Sequence, residues 1–309
     1  MDSSASGMAS LGPVVVATDG SEGAARAVRW AAGEAASRSQ PLTIVHAGDL
    51  GADVDSIDSA AVQRIRDTGR RLLDDAAARV SEQFPDLSVT TTLSESEVTG
   101  SVLDATPADG TIVVGPPGRG RFAELLLGSV GLTVAGRAQG PVIVVRGSTE
   151  AAPRPRRVVL AAVRDDLDLD VLHFAAKTAQ NRKASLRVLK AWLFLQSVGS
   201  VAPMLDDLSG IAKTEAVATS CFAESIRTEF PDLMVTEDTV RATSVAGALV
   251  EESLHADLLV IGARRRALAL GSPLGRVTDA ILHHSRCPVA IVPRNDRRPH
   301  RPPRPPSDC

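Results

Sequence analysis

Three segments in the first half of the chain combine acid, glycine and helix-opening residues. They are Ala17-Thr18-Asp19-Gly20-Ser21, His46-Ala47, and the run from Gly115-Pro116-Pro117-Gly118-Arg119 to Gly128-Ser129. An aspartate accepts hydrogen bonds from sugar hydroxyls or an exocyclic amino group, and the backbone at Ala47 can pair with a base edge. Gly115 and Gly118 let main chain approach a ligand with no Cβ between them. Gly128-Ser129 opens a helix whose free N–H groups and dipole favour an anion, and the Ser129 hydroxyl can donate to a phosphate oxygen. Pro116 and Pro117 work against this, because proline has no amide hydrogen and removes up to two donors from the loop. Residue types of this kind can hold a sugar, a base edge and an anion through backbone and helix ends.

Blander readings compete at each residue. Asp19-Gly20-Ser21 by itself is a turn with a helix cap. His46 is the one histidine of the first half, and a structural role is set against that of a general base. His283, His284 and Cys287 make a poor metal set, since adjacent helix positions point about 100° apart. Cys287 is expected to pack where a helix ends before Pro288. Asp165, Asp166, Asp168 and Asp170 lack the glycine and terminal glutamate of a calcium loop and read as a solvated helix entry. Arg294, Arg297, Arg298, Arg301 and Arg304 read as solvated. No Gly-x-Ser-x-Gly elbow and no Walker loop is present.

The elements that must position these residues are written twice. Pro13-Val-Val-Val-Ala-Thr18 resembles Arg157-Val-Val-Leu-Ala-Ala162, and Pro41 to Ala47 resembles Ser185 to Ala191. Phe84-Pro-Asp-Leu87 recurs as Phe230-Pro-Asp-Leu233, Thr111 to Gly115 as Leu258 to Gly262, and Gly140 to Val145 as Cys287 to Val292. Each copy alternates short apolar runs with helical stripes such as Ala24, Ala27, Val28, Ala31 and Ala35. Ile65, Leu72, Leu73, Ala76 and Val80 mark a second helix, and a third strand over Leu87 to Leu93 reads as near an edge. A helix is predicted from about Ser129 to Arg137. Uninterrupted apolar strands imply burial on both faces, hence parallel sheets covered by helices. Right-handed crossovers then give a doubly wound α/β fold, whose ligands sit beyond the carboxyl ends of the strands.

The 309 residues fit two domains at roughly 150 residues each. A 44% hydrophobic content excludes a wholly disordered chain. A net charge of −3 and scarce aromatics argue against a nucleic-acid partner. No run approaches a membrane span. The start of the chain lacks a secretory signal, and Cys221, Cys287 and Cys309 fit neither a zinc site nor a disulfide framework, so a cytoplasmic location is expected. Residues 1–11 and the Pro/Arg-rich tail 295–309 are expected to be disordered. Domains are expected over 12–146 and 157–294, joined by a linker at 147–156.

The spacing Gly115-x2-Gly118-x9-Gly128-Ser129 resembles the ATP-binding motif of the universal stress protein family, and the resemblance covers both copies. It implies two tandem Rossmann-like α/β domains, each a five-stranded parallel sheet with helices on both faces and strand order 3-2-1-4-5. It also implies ATP, with Mg2+ held through the phosphates. Asp19 and Ala47 fall on the nucleoside side, and Ala17 lines the floor by its backbone. Gly115, Gly118, Arg119, Gly128, Ser129 and Val130 fall on the phosphate side. The implied role is a non-enzymatic, nucleotide-dependent sensor or regulator of stress response, with an unidentified protein partner. A slow ATP hydrolase at the same site and a nucleotide-free scaffold are the rivals. Val142–Val145 and Val289–Val292 are expected to pair the two domains as a pseudo-dimer, with Val144 near Ile291; a homo-oligomer stays open. Copy two is expected to be degenerate. Val163 stands at the position of Asp19, Arg265 at Gly118 and Arg276 at Ser129, while Gly262 and Gly275 survive. Arg264-Arg265-Arg266 still offers charge to a phosphate.

Overall fold

A computed structural model describes residues 11–48, 58–116, 129–146, 157–193, 205–264 and 274–294. The linker, the tail and residues 1–10 lie outside that set. The first copy runs β1 (Val14–Ala17), α1 (Glu22–Arg38), β2 (Leu42–Ala47), α2 (Ser59–Gln83), β3 (Val89–Ser94), α3 (Val98–Asp104), β4 (Thr111–Val114), α4 (Ser129–Arg137) and β5 (Val142–Val144). The second runs β6 (Val158–Ala162), α5 (Leu169–Asn181), β7 (Ser185–Leu193), α6 (Leu205–Glu229), β8 (Val235–Ala242), α7 (Val245–Glu252), β9 (Leu258–Ala263), α8 (Arg276–His284) and β10 (Val289–Pro293).

All ten strands form one sheet in the order β3-β2-β1-β4-β5-β10-β9-β6-β7-β8. Pairing is parallel within each copy and antiparallel only where β5 meets β10. The two apolar strands thus cover each other's edges, as an exposed apolar edge requires. Their register sets Val142 opposite Ile291 and Val144 opposite Val289. The expected neighbour of Val144 is therefore displaced by two residues. The free edges are β3, with Thr90, Thr91 and Thr92 exposed, and β8, with Glu237 and Asp238 exposed.

Strand alternation divides the core into two layers. Val14 and Val16 face α1 and α2 with Ala27, Ala31, Leu73 and Val80. Val15 faces the other way, with Val102 of α3 and Val134 of α4. The second copy repeats this with Phe174 and Ile226 on one face, Leu249 and Ile281 on the other. Ile65 is 37% exposed and drops out of the predicted stripe. The inner face of α2 passes instead through Gly69, where a Cβ would come within 2.6 Å of Leu93 and 2.9 Å of His46. Among the described residues no helix is long and apolar enough to cross a membrane.

Candidate functional site

The site is built where β1 and β2 end at different heights. β1 stops at Ala17, and the chain turns through Asp19, whose Oδ1 accepts from the Ser21 N–H at 2.9 Å. Gly20 follows at φ +78°, a left-handed conformation that glycine adopts without strain. Ser21 then caps α1, its Oγ accepting from Ala24 N–H at 3.1 Å. β2 runs on past this turn to Ala47. Thr18 N–H donates to Val45 O, and Gly48 N–H donates to Ser94 O on the other side. Backbone groups alternate sides along a strand, so those of Ala47 face the side that β1 has vacated. Among the described residues neither has a backbone partner there. A donor and an acceptor are therefore presented side by side.

They open on a cavity of about 250 Å³. Its walls bring together Ala17, Asp19, Ala47, Gly115 and Val130, which the sequence singled out from separate segments. Val45, Val98 and Val102 complete an apolar wall that the sequence reading missed. The available signal was the sheet-facing spacing of Val98 and Val102 on the short helix α3. Asp19 is the one acidic or basic wall residue, histidine aside, among the described residues. α4 begins at Ser129, as the spacing predicts. Gly118, Arg119 and Gly128 lie outside the described residues, as does Pro117. The Ser129 side chain does too.

His46 also lines the cavity, but its position is fixed by packing. Its Nδ1 lies 2.8 Å from the Thr18 carbonyl oxygen, which can only accept, so Nδ1 carries the hydrogen. Its edge rests on Gly69. Gly115 needs reinterpretation. A Cβ there would sit 2.9 Å from the Gly23 carbonyl oxygen and 3.2 Å from Ala27 Cβ. The absent side chain makes room for α1, not for a ligand. Gly23 in turn has Pro116 Cγ 2.7 Å from where its own Cβ would be, so the loop is seated on the first turn of α1.

In the second copy the cavity-wall place of Ala24 is taken by a charged residue. Asp168 occupies the position of Ala24 and is fully buried. Its Oδ2 accepts from Arg164 N–H at 2.8 Å, and its Oδ1 lies 3.3 Å from Arg294 Nε. Arg164 Nη2 also donates to the Gly262 carbonyl at 2.8 Å, and Arg294 pairs with Asp165. Asp168 and Arg294 are thus not solvated, contrary to expectation: each supplies the charge that the other needs to be buried. Val163 is buried as well. Arg264 is exposed, Arg276 opens α8, and Arg265 and Arg266 lie outside the described residues. Cys287 is buried beside the end of α8, as expected. Among the described residues no group of three or more His, Cys, Asp or Glu is placed to hold a metal.

Comparison with known proteins agrees with this architecture. The pattern of the universal stress protein family matches residues 11–146 and again 155–293. A universal stress protein of Mycobacterium tuberculosis is 29% identical over 302 residues, covering 93% of this chain and 98% of its own. One from Mycolicibacterium smegmatis is 27% identical over 293 residues, covering 90% and 96%. The crystal structure of a universal stress protein from Archaeoglobus fulgidus superposes with a TM-score of 0.67 at 14% identity, covering 91% of this chain and 98% of that one. With the family pattern present twice, and each copy folded around its own parallel half-sheet, the chain belongs to the universal stress protein family as a tandem member.

Proposed function

We propose that the first domain binds ATP and that the second does not, so that the protein acts as a nucleotide-dependent regulator in a stress response. Family membership supports the stress-response role. The observation that carries the nucleotide reading is the exposed backbone edge of Ala47 at the mouth of an apolar cavity beside Asp19. A base offering one acceptor and one donor fits that edge, the valine walls suit its faces, and Asp19 can accept from ribose hydroxyls. Ligand clefts span about 300–1,000 Å³. A cavity of about 250 Å³ suits the nucleoside, with the phosphates directed towards the start of α4. Mg2+ in this reading is held by the phosphates themselves.

The reading is of binding without catalysis. With Nδ1 donating to Thr18, His46 keeps Nε2 as an acceptor, so turnover that survives Asp19→Ala but is lost in His46→Ala would support the hydrolase rival. For the scaffold rival stand the missing N–H groups of Pro116 and Pro117. Purification followed by denaturation should release adenine nucleotide, and calorimetric titration with MgATP should show saturable binding that Asp19→Ala removes. Absence of both released nucleotide and binding heat would favour the scaffold.

A further inference from the structure

Ten residues along α1 from the cavity wall at Ala24, one carboxylate sits between two guanidinium groups. Glu34 is 1% exposed. Its Oε1 accepts from Arg38 Nε at 2.9 Å and Nη2 at 2.6 Å. Its Oε2 accepts from Arg182 Nε at 2.7 Å and also from Nη2. Arg38 lies on the same helix, whereas Arg182 caps α5 in the other domain. The Arg182 guanidinium stands 4.5 Å from the centre of the Trp30 ring, and that of Arg38 stands 5.5 Å from the centre of Phe174. Arg38 Nη1 also donates to Thr111 Oγ1 at 2.8 Å.

The internal repeat relates these residues in pairs. Trp30 and Phe174, Arg38 and Arg182, and Glu34 and Thr178 all stand 144 positions apart. Each arginine therefore stacks on the aromatic ring of the opposite domain. The two-fold relation fails where Leu258 stands as the counterpart of Thr111 and, in charge, where Glu34 stands. Thr178, the counterpart of Glu34, is fully buried, and its Oγ1 has no hydrogen-bond partner among the described residues. At this point of the interface, among the described residues, the unlike halves thus hold two cations, Arg38 and Arg182, around one acid. Two second domains joined in the same way would bury a pair of Arg182 side chains with no acid between them. An uncompensated buried charge is strongly destabilising.

We propose that Glu34 is the recognition group of the domain interface. The second-domain face fits only a face that brings a carboxylate to this point, and in this protein that is a first domain, its own or that of a second copy. The adjoining strands cannot make the distinction, because β5 and β10 are apolar along their whole contact. Specificity comes from what the wrong pairing would bury.

The test uses the full chain and thermal melting. Glu34→Gln should lower Tm by about 5 °C or more, since it leaves Arg38 and Arg182 facing each other. Adding Thr178→Glu moves the acid to the two-fold-related position and should restore at least half of the loss. If Glu34→Gln does not fold, recovery of folded chain in Glu34→Gln/Thr178→Glu is the equivalent result. Should Thr178→Glu alone be destabilising, its side chain does not fit, and Glu34→Gln/Arg182→Gln decides instead. Removing the facing cation must then make that double variant more stable than Glu34→Gln. A Glu34→Gln chain as stable as the parent, or no recovery in the deciding double variant, would overturn the proposal.

Discussion

At the scale of the residue, the site depends on backbone more than on side chains. Ala47 and Gly48 are neighbours with opposite duties. The Gly48 N–H completes the ladder to Ser94, while that of Ala47 faces the cavity. Proline at each position removes one N–H. Ala47→Pro should weaken ATP binding by about tenfold, the equivalent of one hydrogen bond, with a smaller fall in Tm than Gly48→Pro. Equal losses of Tm in the two variants would show that the Ala47 donor belongs to the sheet. The sequence pointed Asp19 and Ala47 towards one cavity because their places follow from strand ends, while Val130 came with the family resemblance. It did not show why Gly115 is glycine. That reason lies in Gly23 and Ala27, which only the packing of α1 on β4 brings near.

At the scale of the element, glycines at strand ends report what each helix presses against. In the first copy α1 presses with Gly23 and Ala27 on Gly115. In the second, the entry to α5 presses with Asp168, whose Oδ1 would lie 2.5 Å from a Cβ on Gly262. Gly262→Ala should therefore destabilise the protein by about 1–3 kcal/mol, as overpacked cores are, while leaving ATP affinity unchanged. Chemical denaturation and titration of that variant check both halves of the statement. Strand and helix positions were largely legible, because apolar runs and helical stripes are local signals. The buried charge pair of the second copy was not. Asp168 reads as part of an acidic helix entry, and only the return of β10 brings Arg294 onto it.

At the scale of the whole molecule, the repeat announced two domains and the apolar edge strands announced their pairing. Register and charge pairing across the interface were hidden, because they join residues from separate copies. The interface carries a pH dependence with a definite sign. Burial raises the pKa of Glu34, but the charges and hydrogen bonds of Arg182 and Arg38 outweigh it and hold the carboxyl below its ordinary value. The stability it contributes is present above the unfolded value of about 4.3 and is lost as pH falls through the lower folded value. The difference in Tm between the parent and Glu34→Gln should thus be constant near neutrality and shrink in acid. A difference that persists unchanged where the parent carboxyl is protonated would mean that Glu34 acts by shape and not by charge.

The central claim is that one tandem chain keeps one nucleotide site. Calorimetric titration of the full chain with MgATP tests it through stoichiometry. One ATP should bind per chain, and Asp19→Ala should abolish the site. Two ATP per chain would contradict a second site altered by the buried Asp168 and Arg294, and none would contradict the first.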